Sequence, residues 1–361
     1  MGRHHLVWRA SAGDMLEVAA RICGVHAQVM SSAELTLWAR VEELERDAVQ
    51  RALWDDRTLV KLWAMRGTLH LLPAGELGVW LAGLGSYDHY LKPVWLRSFE
   101  ITREELEKLI EAVGAALDGE LRTRAELGAE VARVTGSGAM AERLQQSWGS
   151  YLKPASYRGL LCFGPGEGQR VRFTKPASWV PDGVEPVAQD TGLRDITRRY
   201  LGAFAPATRD DLARWWAVSA AQAGRMLAAL GDEVAQVDVE GEIYWMLAGH
   251  VAEAAKANPG NIVRLLPGFD QWVVGASRTA PAQLGPEHKA RVYRPQGWLS
   301  PVLLVNGRME GVWRHERKGR RLIVELEPFG RLPKWARTQA DREASRLADF
   351  LGGELSLRWT A

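Results

Sequence analysis

One order of segments recurs three times along these 361 residues, and it constrains the fold more than any other feature of the chain. A capping signal opens a helix, a short turn leads to a second helix, and two strands joined by a tight turn follow. The third copy is the clearest. "APATRDDLARWW" predicts a helix capped by Thr208, with Asp210 and Asp211 in the first turn, where the helix dipole favours negative charge. After "AVS", Ser219 and Gln222 predict a capping box for "AAQAGRMLAAL", which Gly231 ends. "EVAQVDV", "EG" and "EIYWMLA" then alternate as strand, turn and strand. The second copy opens at Thr123, with Glu126 three residues on, and continues through "AERLQQSWGSYLKPASYR". Its hairpin is "GLLCFGP", "GEG" and "QRVRFTKP". The first copy takes Ser31 and Glu34 as its box, "ERDAVQRALWDD" as its second helix, and "TLVKLWA", "MRG" and "TLHLLP" as its hairpin.

Helix, turn, helix and hairpin in that order describe a winged-helix module. The copies lie about 85–95 residues apart, too far for a solenoid repeat, so separate small domains are expected. Residues 258–361 break the pattern. "NIVRLLPGF", "WVVGAS", "ARVYRP", "SPVLLVNGRMEGVWRHE" and "RRLIVELEPF" read as short strands with turn signals between them. One helix, "QADREASRLADFLG", is predicted to be capped by Thr338 and followed by the strand "ELSLRW". The expected class is α+β: winged helices at 1–100, 101–190 and 191–257, then a β-barrel-like domain at 258–361.

Net charge is only +2, but its distribution is uneven. Residues 206–260 carry 4 basic and 8 acidic side chains, whereas residues 261–361 carry 17 and 10. A basic module beside acidic ones suggests one face that meets a polyanion. No run of about 18 uncharged apolar residues predicts a membrane span, and the start lacks the apolar stretch of a secretory signal. Cys23 and Cys162 sit in apolar surroundings far apart in sequence, as buried free thiols of a reducing cytoplasm would. No Cys/His spacing resembles a zinc site. A cytoplasmic protein without metal or organic cofactor is expected.

The stretch "ICGVHAQVMSSAEL" places His26 and Gln28 two apart in a loop that could be mostly apolar. On an extended chain, such residues share a face, with Ala27 turned away. They would then form a two-pronged polar pair.

Four stretches carry a resemblance: "GVHAQVMSSAELTLWAR", "TLVKLWAMRGTLHLLP", "LLPGFDQWVVG" and "GWLSPVLLVNGRMEGVWR". Through them the chain resembles, over nearly its whole length, the winged-helix DNA glycosylases related to the azinomycin-resistance enzyme, which unhook crosslinked and bulky alkylated purines. The resemblance implies double-stranded DNA carrying alkylated purines as substrate, and a catalytic motif of two glutamines flanking one apolar residue. Here His26 replaces the first glutamine and Gln28 keeps the second. The departure admits two readings: a branch acting on bulkier adducts, or weakened chemistry.

Such a pair is expected to be enough for this chemistry. Alkylation at N7 or N3 leaves positive charge on a purine, so its departure needs little acid catalysis. What remains is to hold a water beneath C1′ and to stabilise the cationic sugar. Glutamine offers an acceptor and two donors, and neutral histidine can also take the water's proton. No lysine lies near "GVHAQ", which argues against a Schiff-base lyase and for a monofunctional enzyme.

Other candidates surround this pair. Arg66 and His70, in "MRGTLHLLP", can face a phosphate or the site, or serve only a turn and a strand. Asp270, in "PGFDQW", is a candidate for orienting a site residue, or a turn cap. Arg314, Arg317, Lys318, Arg320 and Arg321 crowd a predicted hairpin tip, and Arg170, Arg172 and Lys175 flank another; both sets suit contact with DNA. Sixteen of the thirty aromatic residues are tryptophan, and Trp38, Trp63, Trp215 and Trp245 fall at apolar, core-forming positions. Two other classes stay open on the residues alone: a non-catalytic winged-helix transcriptional regulator, and a resistance protein that sequesters an adduct without cleaving it.

Overall fold

The computed structural model describes every residue except 147, 148, 169, 259, 279 and 361. The chain divides into two units, one formed by Met1–Ala48 with Arg198–Ala361, the other by Val49–Thr197.

In the first unit, the helices Met15–Arg21 and Met30–Trp38 precede the third of the predicted repeats. Thr208 caps the helix Arg209–Trp216 in a reciprocal box with Asp211, and Ser219 accepts from Gln222 N at the start of Ala220–Ala228. Strands Val234–Val239 and Glu242–Leu247 pair antiparallel behind them. Trp38, Tyr200, Trp215 and Trp216 are fully buried among these helices, because one amphipathic face of each must leave water.

The C-terminal part of this unit is an open five-stranded sheet, not the expected barrel. Its order is Glu354–Trp359, Arg321–Pro328, Arg308–Lys318, Val302–Val305, Val263–Leu266. The first two strands run parallel and the other pairs antiparallel. The reason is the crossover. The helix Lys334–Leu351 connects the parallel pair and buries Ala336, Ala340, Ala344, Leu347 and Ala348. A helix supplies the cover that barrel closure would otherwise provide.

Local expectations also shift here. "WVVGAS" and "ARVYRP" are helical, at Gln271–Gly275 and Lys289–Val292. The first follows because Asp270 accepts from Trp272 N and so caps a turn of helix. Thr338 is not a cap: Pro333 occupies that position, and the Thr338 hydroxyl donates back to Lys334 O at 3.1 Å inside the helix. Ser31 is likewise inside its helix, which begins at Met30 after the extended Val29.

In the second unit, Leu59–Trp63 and Leu69–Pro73 form an antiparallel hairpin. Thr123 and Glu126 make the expected box on Arg124–Thr135. Strands Cys162–Glu167 and Arg170–Thr174 pair, with Arg122–Thr123 on the far side of the latter. Ser147, Trp148 and Gln169, parts of the predicted second copy, lie outside the described residues. Among the described residues, no helix is long and apolar enough to cross a membrane, and both cysteines are buried free thiols.

Candidate active site

The helix Met15–Arg21 ends in two left-handed residues, Cys23 (φ 62°) and Gly24 (φ 80°), which turn the chain into the extended pair Val25–His26. His26 is 5% exposed and Ala27 fully buried, while Gln28 is exposed one residue further. The imidazole and the carboxamide thus occupy different surroundings, one walled by protein and one in solvent.

The wall comes from the segment 267–272, "PGFDQW", in the same unit. The Phe269 ring lies parallel to the His26 ring, with centroids 4.9 Å apart and planes 9° apart. To reach it, Phe269 adopts φ 62°, a conformation that a bulky side chain rarely takes and that surrounding structure must enforce. Three observations supply that enforcement. Asp270 is fully buried and accepts from both terminal nitrogens of Arg40, at 2.7 and 2.8 Å. Arg40, also fully buried, donates to Thr36 O at 2.9 Å and so ties this pair to the helix that follows the His-x-Gln loop. Gln271, buried too, donates from Nε2 to the Gly24 carbonyl. Gly268 allows the approach on the other side, since a Cβ there would stand 2.9 Å from Leu299 O.

Asp270 therefore touches the site through the backbone it holds. Sequence reasoning singled out Asp270 but missed Arg40, Phe269 and Gln271. A signal was present: Arg40 ends one of the four resembling stretches, and Phe269 and Gln271 flank Asp270 in another.

The remaining candidates are scattered. Arg66 and His70 belong to the second unit. Arg66 is left-handed (φ 60°) in the turn of its hairpin, and His70 is fully buried, its Nδ1 3.1 Å from Thr68 O. Arg172 donates to Pro165 O at 2.8 Å, Lys175 pairs with Asp118 at 3.2 Å, and Arg170 is exposed at the hairpin tip. At the other tip, Arg314 pairs with Glu325, Lys318 with Glu316, and Arg317 donates to the carbonyls that end the helix Lys334–Leu351. Arg320 and Arg321 are exposed and make no side-chain ion pair among the described residues. A cavity of about 800 Å³ in the first unit, walled by Trp8, Phe204, Tyr244 and Trp272 among others, includes neither His26 nor Gln28. Among the described residues no cluster of three or more His, Cys, Asp or Glu side chains could hold a metal ion.

By comparison with known proteins, this fold belongs to the class of the DNA glycosylases. The family model described as "DNA glycosylase AlkZ-like" matches residues 19–350, and the chain belongs to that family. It is 38% identical over 341 residues to the interstrand DNA cross-link repair glycosylase of Streptomyces sahachiroi, spanning 93% of this chain and 90% of that protein. The solved structure of the Streptomyces sahachiroi DNA glycosylase AlkZ is similar with a TM-score of 0.90 and 37% identity, covering 100% of this chain and 97% of that one. The alternative of a non-catalytic transcriptional regulator finds no support in these likenesses.

Proposed function

We propose that this enzyme hydrolyses the N-glycosidic bond of bulky N-alkylated purines in double-stranded DNA, interstrand crosslinks included, and that His26 and Gln28 hold the attacking water. The observation that carries the reading is the His26 ring, flat against Phe269, with Gln28 exposed to solvent two residues further along the chain. Water adds to C1′, the glycosidic bond breaks, and its electron pair neutralises the cationic purine as it leaves. The water's proton passes to the neutral imidazole. Gln28 orients the water by accepting a hydrogen bond from it through its carbonyl oxygen. Neither group is acidic enough to expel an undamaged base, so selectivity for alkylated purines follows from weakness.

The cations best placed for phosphate contact are Arg170, Arg320 and Arg321, which are exposed at hairpin tips. Arg172, Lys175, Arg314, Arg317 and Lys318 reach DNA in this reading only by exchanging their present partners, and Arg66 and His70 act as supports within their hairpin. The helix–helix–hairpin runs are read as three winged helices, and the protein as a cytoplasmic monomer serving repair or self-resistance. The test is release of base from N7-alkylguanine duplex, scored as strand breaks after heat or alkali. His26→Ala and Gln28→Ala are expected to lose roughly 10²-fold or more in turnover. Full activity in both variants overturns the assignment.

A further inference from the structure

The stack that begins at His26 does not stop at Phe269. Trp298 packs on the Phe269 ring, with centroids 5.2 Å apart and planes tilted by 52°. Exposure rises along the three rings: His26 is 5% exposed, Phe269 is half-buried, and Trp298 is 54% exposed. An indole so open to water contributes little to a core, and few large apolar side chains in the described residues are as open.

The loop that presents it is built rather than slack. Gln296 (φ 58°) and Gly297 (φ 79°) form a tight left-handed turn. Arg294 N donates to Trp298 O at 2.8 Å, and Tyr293 and Leu299 form a bridge below. Leu299 is buried, and its carbonyl is the one that excludes any side chain at Gly268. The turn therefore packs closely against the same segment that holds Phe269 on His26. Arg294 stands exposed beside it. A fixed, solvent-facing aromatic ring with a cation alongside is what binding an unstacked nucleobase requires.

We propose that Trp298, supported by Phe269, is the platform on which the alkylated base stacks while its glycosidic bond faces His26 and Gln28, with Arg294 at the neighbouring phosphate. The inference rests on the assignment of the chemistry to that pair. Trp298 is a substrate-positioning residue and takes no part in proton transfer. It reads any planar base, so it sets affinity and placement, while the pair sets turnover.

The test compares wild type, Trp298→Ala, Trp298→Phe and His26→Ala under steady-state conditions, on one duplex carrying a single N7-alkylguanine. Trp298→Ala is expected to raise KM roughly 5- to 100-fold with kcat little changed, the range that loss of one stacked base predicts. Trp298→Phe, which keeps a π-face, is expected to restore most of the affinity. Melting temperatures of both Trp298 variants should match wild type, because the ring is exposed. Unchanged KM in Trp298→Ala beside an inactive His26→Ala overturns the platform alone. Equal loss in Trp298→Ala and Trp298→Phe also overturns it, since that pattern marks a structural role. Wild-type turnover in His26→Ala overturns the placement of the chemistry, and the platform with it.

Discussion

Replacing Asp270 by Asn removes one charge from the interior and almost no volume. Both members of the Arg40–Asp270 pair are 0% exposed, and their two bonds measure 2.7 and 2.8 Å. Asn can still accept from Trp272 N, so the cap on Gln271–Gly275 survives. It can still accept one N–H of Arg40. What it cannot do is neutralise a guanidinium with no access to water. Breaking a buried pair from one side costs about 3–5 kcal/mol. In a unit of about 200 residues each kcal/mol moves the melting temperature by roughly 2–4 °C. Asp270→Asn should therefore melt roughly 6–20 °C below wild type, with little dependence on salt because the charge is shielded from counterions. Arg40→Met strands the carboxylate and should fall similarly. The double variant Arg40→Met with Asp270→Asn strands no charge, so it should recover most of the loss. Calorimetric melts of the four proteins at low and high salt decide the matter. A shift under about 3 °C in Asp270→Asn, or a double variant whose loss equals the sum of the singles, refutes the claim that this pair anchors the segment.

Two further outcomes follow from other parts of the molecule. Arg170→Ala, and Arg320→Ala with Arg321→Ala, should weaken duplex binding whatever the sequence and lower the salt slope of the affinity by about 1 per phosphate contact. Arg172→Ala should do less, because that guanidinium already serves Pro165 O; titrations at several salt concentrations separate the two. His4 is fully buried, donates from Nε2 to Ala203 O at 3.1 Å, and touches Phe204 and Trp272 edge-on. Burial first, then the charge of Arg40, hold its pKa well below the ordinary 6.5. The unfolded chain therefore takes a proton near 6.5 that the folded chain refuses. Stability from this residue is complete above that pH and falls steadily as the pH drops below it. His4→Gln should flatten that part of a melting-temperature profile.

What the sequence made legible was local. Thr123 with Glu126, and Thr208 with Asp211, announce their helices because a cap needs only residues three apart. The alternation in "EIYWMLA" announces its strand for the same reason. Errors arose where a distant partner decided. "WVVGAS" has the composition of a strand, yet Asp270, fixed by Arg40 from 230 residues away, nucleates a turn of helix there. The barrel expectation failed because strand signals do not say which strands are neighbours, and a helix after Arg321–Pro328 made its successor parallel. His26 and Gln28 were visible as an odd polar pair. Phe269 and Trp298 were not, because a ring stack across the chain leaves no periodicity behind.

The site also explains why so much rigidity surrounds so little chemical strength. In the proposed reaction an imidazole and an amide are weak tools, and they suffice only when the leaving group already carries its positive charge. The rate then depends on where the water sits, since misplacement by about 1 Å can cost roughly 10²-fold. Placement in turn depends on the His26 ring, whose position is set by Phe269 in a conformation it would not hold alone. The buried charges of Arg40 and Asp270 and the Gln271 bond to Gly24 fix that conformation from the interior. On this logic Asp270→Asn, assayed well below its melting temperature, should lose turnover, whatever it does to affinity through Phe269 and Trp298. Loss of affinity with turnover intact would place the effect of Asp270 on the Trp298 platform alone and break the link between the clamp and the chemistry.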